Sequence, residues 1–323
     1  MKKITSALLT IFLLMACQSD KDRIATSPLA QLWADSTSLK VALMPTADCL
    51  PFYYAEKMGY YQQLGLDVRF VTYMAQIDCD TAFINKRVDV CYSDVARAVM
   101  MRSKDKTPLY IIMQADGEHK LMAKGNKNIK NFNSLKERRI AVARHSVTDF
   151  YSDAVMDKAK MQKADIFRPQ INDIKLRADM MLNSTMDAAF LPEPQATRVA
   201  LAGDTCLFTT AQPGCPKLMA FIAQEKVLNN ATLKEQVKLL ILGYNQAVAS
   251  INANEHQDSV RSILTKEYEL SGQVIDSLRL PAYNQAQAQQ QSNVEEATKW
   301  LRQRNVLPTP FHSDNLISTV FIP

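Results

Sequence analysis

Four aspartates, Asp48, Asp78, Asp80 and Asp94, stand at or near the ends of short apolar runs in the first hundred residues. Carboxylates placed there can accept the N–H groups of a cationic or nitrogen-rich solute. They can also cap helices that begin at the same points, because an aspartate at the N-cap accepts from otherwise free amides. Asp78 precedes a short helical run at Cys79, and Ser93 and Asp94 precede one at Val95, so capping alone accounts for these three. Farther along, Arg144 and His145 end another apolar run, and Ser146 with Asp149 approximates a capping box. An arginine beside free helix amides is a means of holding a sulfonate- or nitrate-like anion. Thr46, Phe52 and Tyr53 follow the first apolar run. The two rings offer a stacking surface, although at helical spacing at least one of Phe52, Tyr53 and Tyr54 must face a core. Glu193 lies between two prolines that hold its backbone extended, and it either meets solute or closes a salt bridge beside a hinge.

Covalent and metal chemistry have little support. The four histidines are scattered at 119, 145, 256 and 312, and no Ser–His–Asp set is visible in the sequence. No CxxC or HxxxH spacing exists, so neither metal nor cofactor is expected. Cys206 and Cys215 flank Gln212-Pro213-Gly214, a turn that brings them within range of a disulfide.

These residues need elements to position them. Residues 39–44 form a short apolar run closed by Pro45; Phe52, Ala55, Met58 and Tyr61 then recur at helical spacing before Gly65. The unit repeats, with strands at 66–72, 88–92 and 109–114 and helices at 79–86 and 95–103. Such alternation predicts parallel strands covered by helices, an α/β fold. A second series follows, with strands at 121–124, 140–144 and 188–191, a helix at 147–161 and a helical or loop segment at 175–181. A strand at 217–223 then precedes four helices: a stripe from Leu233 to Ile251, then 257–268, 273–278 and 294–304. The glutamine-rich residues 284–291 read as a solvated surface segment.

The first seventeen residues combine Lys2 and Lys3, an apolar run from Ala7 to Met15, and Leu14-Met15-Ala16-Cys17. This ordering is that of a secretory leader whose last four residues resemble the bacterial lipobox, with Cys17 as the lipidated residue; the alternative is an ordinary leader with a chance cysteine. Residues 1–16 are then the signal peptide and 17–38 the lipidated cysteine with a polar tether. No later run reaches the ~20 apolar residues a spanning helix needs. Formal net charge is +5, two of the lysines lying in the leader, which is too weak to indicate nucleic acid. With 47% hydrophobic residues the chain has ample material for a globular core.

Residues 41–48, 50–61, Leu64-Gly65-Leu66-Asp67-Val68, Val88-Asp89-Val90, Ser93-Asp94, Ser134-Leu135-Lys136, Ile140-Ala141-Val142 and Met186 to Pro194 resemble, in order, the solute-binding proteins of ABC transporters for sulfonates, taurine, nitrate and thiamine pyrimidine precursors. That resemblance implies a periplasmic-binding-protein fold, in which two α/β lobes joined by two crossing hinge strands close on a ligand cleft. Lobe I would comprise residues 39–115 and 217–323, and lobe II residues 116–216. It also implies a monomeric receptor, lipid-anchored in the bacterial cell envelope with its body outside the cytoplasm, that passes a small molecule to an inner-membrane permease. Thr46, Asp48, Phe52, Tyr53, Asp78, Ser93, Asp94, Arg144, His145, Ser146 and Glu193 are the expected ligand residues. If strand order follows the family, Cys49 and Cys79 fall in neighbouring cleft loops and are a second disulfide candidate. The solute is expected to be a heteroaromatic resembling a thiamine pyrimidine precursor, or else a sulfonate- or nitrate-like anion. Two other readings are a permease-free sensor or surface lipoprotein, and a cleft enzyme of the menaquinone-pathway type.

Overall fold

The computed structural model describes residues 37–308, 311 and 313–323. The signal peptide, the lipidation site Cys17 and most of the tether lie outside the described residues. Strand β1 (Leu39–Leu43) is buried almost throughout and carries the loop that enters helix α1 (Leu50–Lys57). A single helix does not run on to Tyr61. Gly59 takes φ +72°, a left-handed conformation that costs glycine no Cβ clash, and α2 (Tyr60–Gln63) starts afresh after it. The chain continues through β2 (Val68–Thr72), α3 (Gln76–Ile84), β3 (Val90–Asp94), α4 (Val95–Ser103) and β4 (Leu109–Gln114).

It then crosses to a second sheet: β5 (His119–Ala123), β6 (Ile140–Ala141), α5 (Val147–Lys158), α6 (Ile174–Leu182), β7 (Ala188–Pro192), α7 (Gln195–Ala200) and β8 (Thr205–Thr209). A second crossing leads to β9 (Met219–Gln224), followed by α8 (Glu225–Asn229), α9 (Ala231–Asn252), α10 (Gln257–Lys266), α11 (Gly272–Ser277) and α12 (Gln291–Gln303). The first sheet has the order β2-β1-β3-β9-β4 and the second β6-β7-β5-β8. We refer to each sheet with its helices as lobe I and lobe II. This is the two-lobed α/β architecture with two crossings.

The sheets are mixed, whereas alternation of strand and helix predicts parallel ones. β1 runs parallel to β2 and β3, but β9 is antiparallel to both β3 and β4, and β5 is antiparallel to β7 and β8. The reason is connectivity: β9 enters lobe I from the second crossing rather than from a covering helix. Strand β8 and helix α7 have no counterpart in the sequence reading. β8 lies at a sheet edge and exposes Thr205 and Cys206, so it lacks the apolar alternation by which a half-buried strand is recognised.

Lobe I packs the α9 stripe Val237, Leu240, Ile241, Tyr244, Val248 and Ile251 inward, all buried. Phe52 sits at the centre of this layer, its ring 4.7 Å from Phe221 and 4.8 Å from Tyr244. Burial of one such ring contributes roughly 1.5–3 kcal/mol. The glutamine-rich segment is not merely solvated. Gln289 is buried and donates to the carbonyl of Lys217 at 3.0 Å; Asn284 donates from its backbone to Asp116 at 2.9 Å. Residues 284–289 therefore strap both crossings, with polar side chains retained because the backbone they cover presents polar groups.

Candidate functional site

The ends of β1, β3, β5, β7 and β9 and the start of α5 converge on one cavity of about 30 Å³, room for a water or two. Lobe I lines it with Met44, Thr46, Gln76, Tyr92, Asp94 and Met219. Lobe II contributes His119, Ser146, Thr148, Asn172, Arg177 and Pro192, among others. A larger hollow of about 180 Å³ lies at the two crossings, between Asp116, Glu118, Tyr151, Thr210, Lys217 and Asn284, on the side of the crossings away from the strand ends that line the first cavity.

Asp94 is both a cap and a link. Its carboxylate accepts from the backbone N–H of Arg97 at 2.9 Å, capping α4, and from that of Val147 at 3.2 Å, the first residue of α5. A carboxylate at that point complements the partial positive charge of the helix start. Burial nevertheless raises its pKa to about 6, against the lowering effects of Arg97 and of the two amides. Arg97 is paired with Asp80 at 2.9 Å, and its second nitrogen donates to the carbonyl of Arg144 at 3.3 Å, a further link between the lobes. The backbone N–H of Ala47 reaches the Glu193 carbonyl at 2.9 Å, and that of Ile174 reaches Met74 at 3.0 Å.

On the lobe II side Arg177 is buried, and its guanidinium donates to the carbonyls of Phe190, Ile171 and Asn172. Among the described residues no carboxylate lies within salt-bridge distance of it. Burial lowers its pKa to about 10, which leaves it cationic at neutral pH. His119 is buried beside it; burial and the Arg177 charge depress its pKa to about 3, so the ring is neutral. Neither His119 Nδ1 nor Thr46 Oγ1 has a hydrogen-bond partner in the protein. A buried polar atom without a partner costs about 1–3 kcal/mol, and a water or a polar group of a solute in the cavity would satisfy both of these.

The expected ligand residues divide. Thr46, Asp94 and Ser146 line the cavity, Ser146 capping α5 by accepting from Thr148 N–H at 3.2 Å. The capping box is incomplete, since Asp149 accepts from His145 N–H at 2.9 Å instead of from Ser146. Asp48 and Ser93 are buried just outside the lining: Asp48 Oδ2 has no partner, and the Ser93 hydroxyl donates to Asp80 at 3.0 Å.

The other placements are corrections. Phe52 and Tyr53 face the lobe I core, where the Tyr53 hydroxyl bonds Thr72 at 2.8 Å, because the helix turns its aromatic face inward. Asp78 is exposed within α3; the helix begins three residues earlier than its cysteine suggests, Ala75 holds the cap position, and Gln76 faces the cavity instead. The Arg144 side chain is exposed, and His145, at φ +56° and half-buried, lies outside the lining; the strand predicted to carry them ends at Ala141, so the loop turns them away. For Glu193 the salt-bridge alternative holds: its side chain engages Lys120 at 2.8 Å and the Thr197 N–H at 2.9 Å.

All five described cysteines are free, so neither disulfide forms. Pairing of β8 with β5 sets Cys206 opposite Met122, and the turn that follows leaves Cys215 against Gln212. Cys49 and Cys79 are buried thiols of the core. Among the described residues no group of three His, Cys, Asp or Glu side chains is arranged to hold a metal ion, and no helix is long and apolar enough to cross a membrane.

Sequence reasoning missed Gln76, Tyr92, His119, Asn172 and Arg177. Arg177 had a signal: it stands between Ile174 and Ala178 on the stripe that α6 buries. His119 begins β5 two residues before the predicted strand, and nothing in its neighbours marks it.

A model of the NMT1/THI5-like family matches residues 46–254. No curated protein matches the sequence. Among solved structures the chain is similar to the ligand-binding component of an ABC-type import system from Staphylococcus aureus with zinc bound, at 12% identity and TM-score 0.74, over 88% of this chain and 98% of that one. It is similar to the alkanesulfonate-binding protein SsuA from Xanthomonas axonopodis pv. citri bound to MOPS, at 14% identity and TM-score 0.73, over 88% and 99%. A third is the desulfurization enzyme DSZB, at 10% identity and TM-score 0.62, over 88% and 97%. At these identities the likeness is one of fold.

Proposed function

The chain belongs to the NMT1/THI5-like family, and from that premise we propose that it is the extracytoplasmic solute-binding component of an ABC importer. Residues 39–115 with 217–323, and residues 116–216, form the lobes that close on a small molecule; Cys17 carries the lipid that tethers a monomer to the membrane, and an inner-membrane permease receives the solute. The observation that carries this reading is the cavity itself, built from loop ends of both lobes and holding unpartnered polar atoms from each, Thr46 Oγ1 and His119 Nδ1. A solute that bridges the lobes adds to the contacts between them and so shifts the equilibrium further towards the closed arrangement.

The preferred solute is a neutral or cationic heteroaromatic that resembles a thiamine pyrimidine precursor. The amide at the start of α5, where an anion would seat, already donates to Asp94, and Thr46 Oγ1 and the neutral His119 Nδ1, both without partners, can accept from a ligand rich in N–H groups. A sulfonate- or nitrate-like anion is the second reading, favoured by Arg177, whose charge has only carbonyl partners. Catalysis has less support. The hydroxyl of Ser146, the serine in the lining, donates to the Ala143 carbonyl at 2.7 Å and so is not poised on a base.

Thermal melts of residues 18–323 against taurine, alkanesulfonates, nitrate, bicarbonate, thiamine, its pyrimidine precursors and purines test the assignment. A ligand at a hundredfold excess over its dissociation constant stabilises by about 2.7 kcal/mol. A rise with a pyrimidine, abolished in Asp94→Asn, is expected. A rise with an anion, abolished in Arg177→Gln, would establish the second reading, and conversion of the ligand by the pure protein would refute the receptor.

A further inference from the structure

Helix α5 is held by lobe I at two points. One is its first residue, through Asp94. The other lies along the same helix, where Asp149 and Asp153 of lobe II meet Arg304, at the end of α12, and Trp300 within it. Arg304 donates to Asp149 at 3.1 Å and to Asp153, the Trp300 indole N–H donates to Asp153 at 2.9 Å, and the Arg304 guanidinium lies 5.0 Å from the centre of the Trp300 ring. Phe150 packs its ring edge-on to Trp300 at 5.5 Å. Asp149 is 2% exposed and Asp153 and Arg304 are each 16% exposed, so solvent screens these pairs much less than it would on an open surface.

Asp149 and Asp153 also have Arg168, from their own lobe, at 3.2 Å in the first case. Loss of Arg304 therefore does not leave two buried carboxylates without a counter-charge. What it removes is the charged part of the tie between the lobes at this point, the Trp300 indole still donating to Asp153. Asp149 in turn accepts the His145 N–H, so the loop that delivers Ser146 and Val147 to the cavity is fixed by the residue that Arg304 grips.

We propose that Arg304 and Trp300 are positioning residues for the solute cleft: they touch no solute, and by clamping α5 from outside the cavity they set the equilibrium between closed and open lobes. This rests on the two-lobed receptor reading but not on the identity of the solute. Because the clamp lies behind the helix, it acts whatever the cavity receives. The indole and the guanidinium restrain each other, which lowers the entropy lost when both engage Asp153.

The test uses the full chain without added solute. Small-angle scattering reads lobe separation, and hydrogen exchange reads the Val147 amide and the β5–β8 sheet. Arg304→Gln is expected to shift the closed-to-open ratio roughly tenfold towards open. The radius of gyration rises and Val147 exchanges faster, while the β5–β8 sheet keeps its protection. Arg304→Lys restores part of the effect, since an ammonium can engage one of the two acids. Asp153→Asn, which approaches the clamp from lobe II, is expected to act in the same direction and to add little to Arg304→Gln. Unchanged scattering and Val147 exchange in both Arg304→Gln and Asp153→Asn would overturn the proposal. So would a general loss of β5–β8 protection, or Arg304→Lys behaving like Arg304→Gln. Failure of every compound in the melting panel, with a positive clamp result, would count against the solute reading and leave the clamp standing.

Discussion

The Asp94 carboxylate stands between two backbone amides, Arg97 N–H at 2.9 Å in its own lobe and Val147 N–H at 3.2 Å in the other. One side chain thus ends a strand, starts a helix and receives the opposite lobe. Its burial, which dominates its titration, makes the first prediction.

With the pKa of Asp94 raised from 3.8 to about 6, the folded state holds this proton more tightly than the unfolded chain does. The stabilisation is complete below pH 4 and is lost as pH rises through 6, a change of about 3 kcal/mol. Urea unfolding should show Asp94→Asn gaining on the wild type by that order between pH 4 and pH 7. A difference that does not vary with pH would contradict the assignment.

His119 acts in the opposite sense. Its pKa is depressed from 6.5 to about 3, so its contribution is present above pH 6.5 and falls away on acidification. The wild type should lose about 2 kcal/mol relative to His119→Gln between pH 7 and pH 5, measured in the same unfolding series. The two residues partly cancel in the wild type, and the variant differences separate them.

Gly243 lies within α9, where alanine would normally add about 1 kcal/mol. A Cβ there would come within 2.4 Å of the Tyr61 ring, which is itself buried. Gly243→Ala is expected to destabilise by about 1–3 kcal/mol, with a correspondingly lower melting midpoint. A higher midpoint would show that the Tyr61 ring can move away.

Thiol labelling of protein lacking Cys17 should separate two classes. Cys206 is exposed and Cys215 half-buried, whereas Cys49, Cys79 and Cys91 are fully buried, and burial pushes the thiols of Cys49 and Cys91 well up. Cys206 and Cys215 are expected to react in the native protein and the other three after denaturation, because the thiolate is the reacting species. Fewer reactive thiols after denaturation without reductant would reveal a disulfide.

The strands and helices of lobe I were legible because their short apolar runs alternate regularly and are bounded by Gly or Pro, as at Pro45 and Gly65. The capping role of Asp94 was legible for the same reason: it ends one run and opens the next. The cavity was less so. Phe52 and Tyr53 have the residue types of a stacking site, yet one helical turn directs both to the core. Arg144 and His145 have the types of an anion site, yet β6 ends at Ala141, and the loop leaves Arg144 exposed and His145 half-buried outside the lining. Arg177 and His119 are brought to the cavity by the packing of α6 and the register of β5, relationships between segments distant in sequence. Local spacing shows only that Arg177 shares the buried stripe of α6, not that the stripe meets the cavity. Residues 284–291 show the same gap, since their glutamines gain a role only once both crossings lie beneath them.

Equilibrium titration of pure residues 18–323, with Cys17 removed and with the compound that raises the melting midpoint, tests the central claim most directly. The account predicts one site per chain, saturation, and recovery of the compound chemically unchanged, with binding lost in Asp94→Asn or Arg177→Gln. Binding that survives both substitutions, or consumption of the compound by the protein, would contradict it.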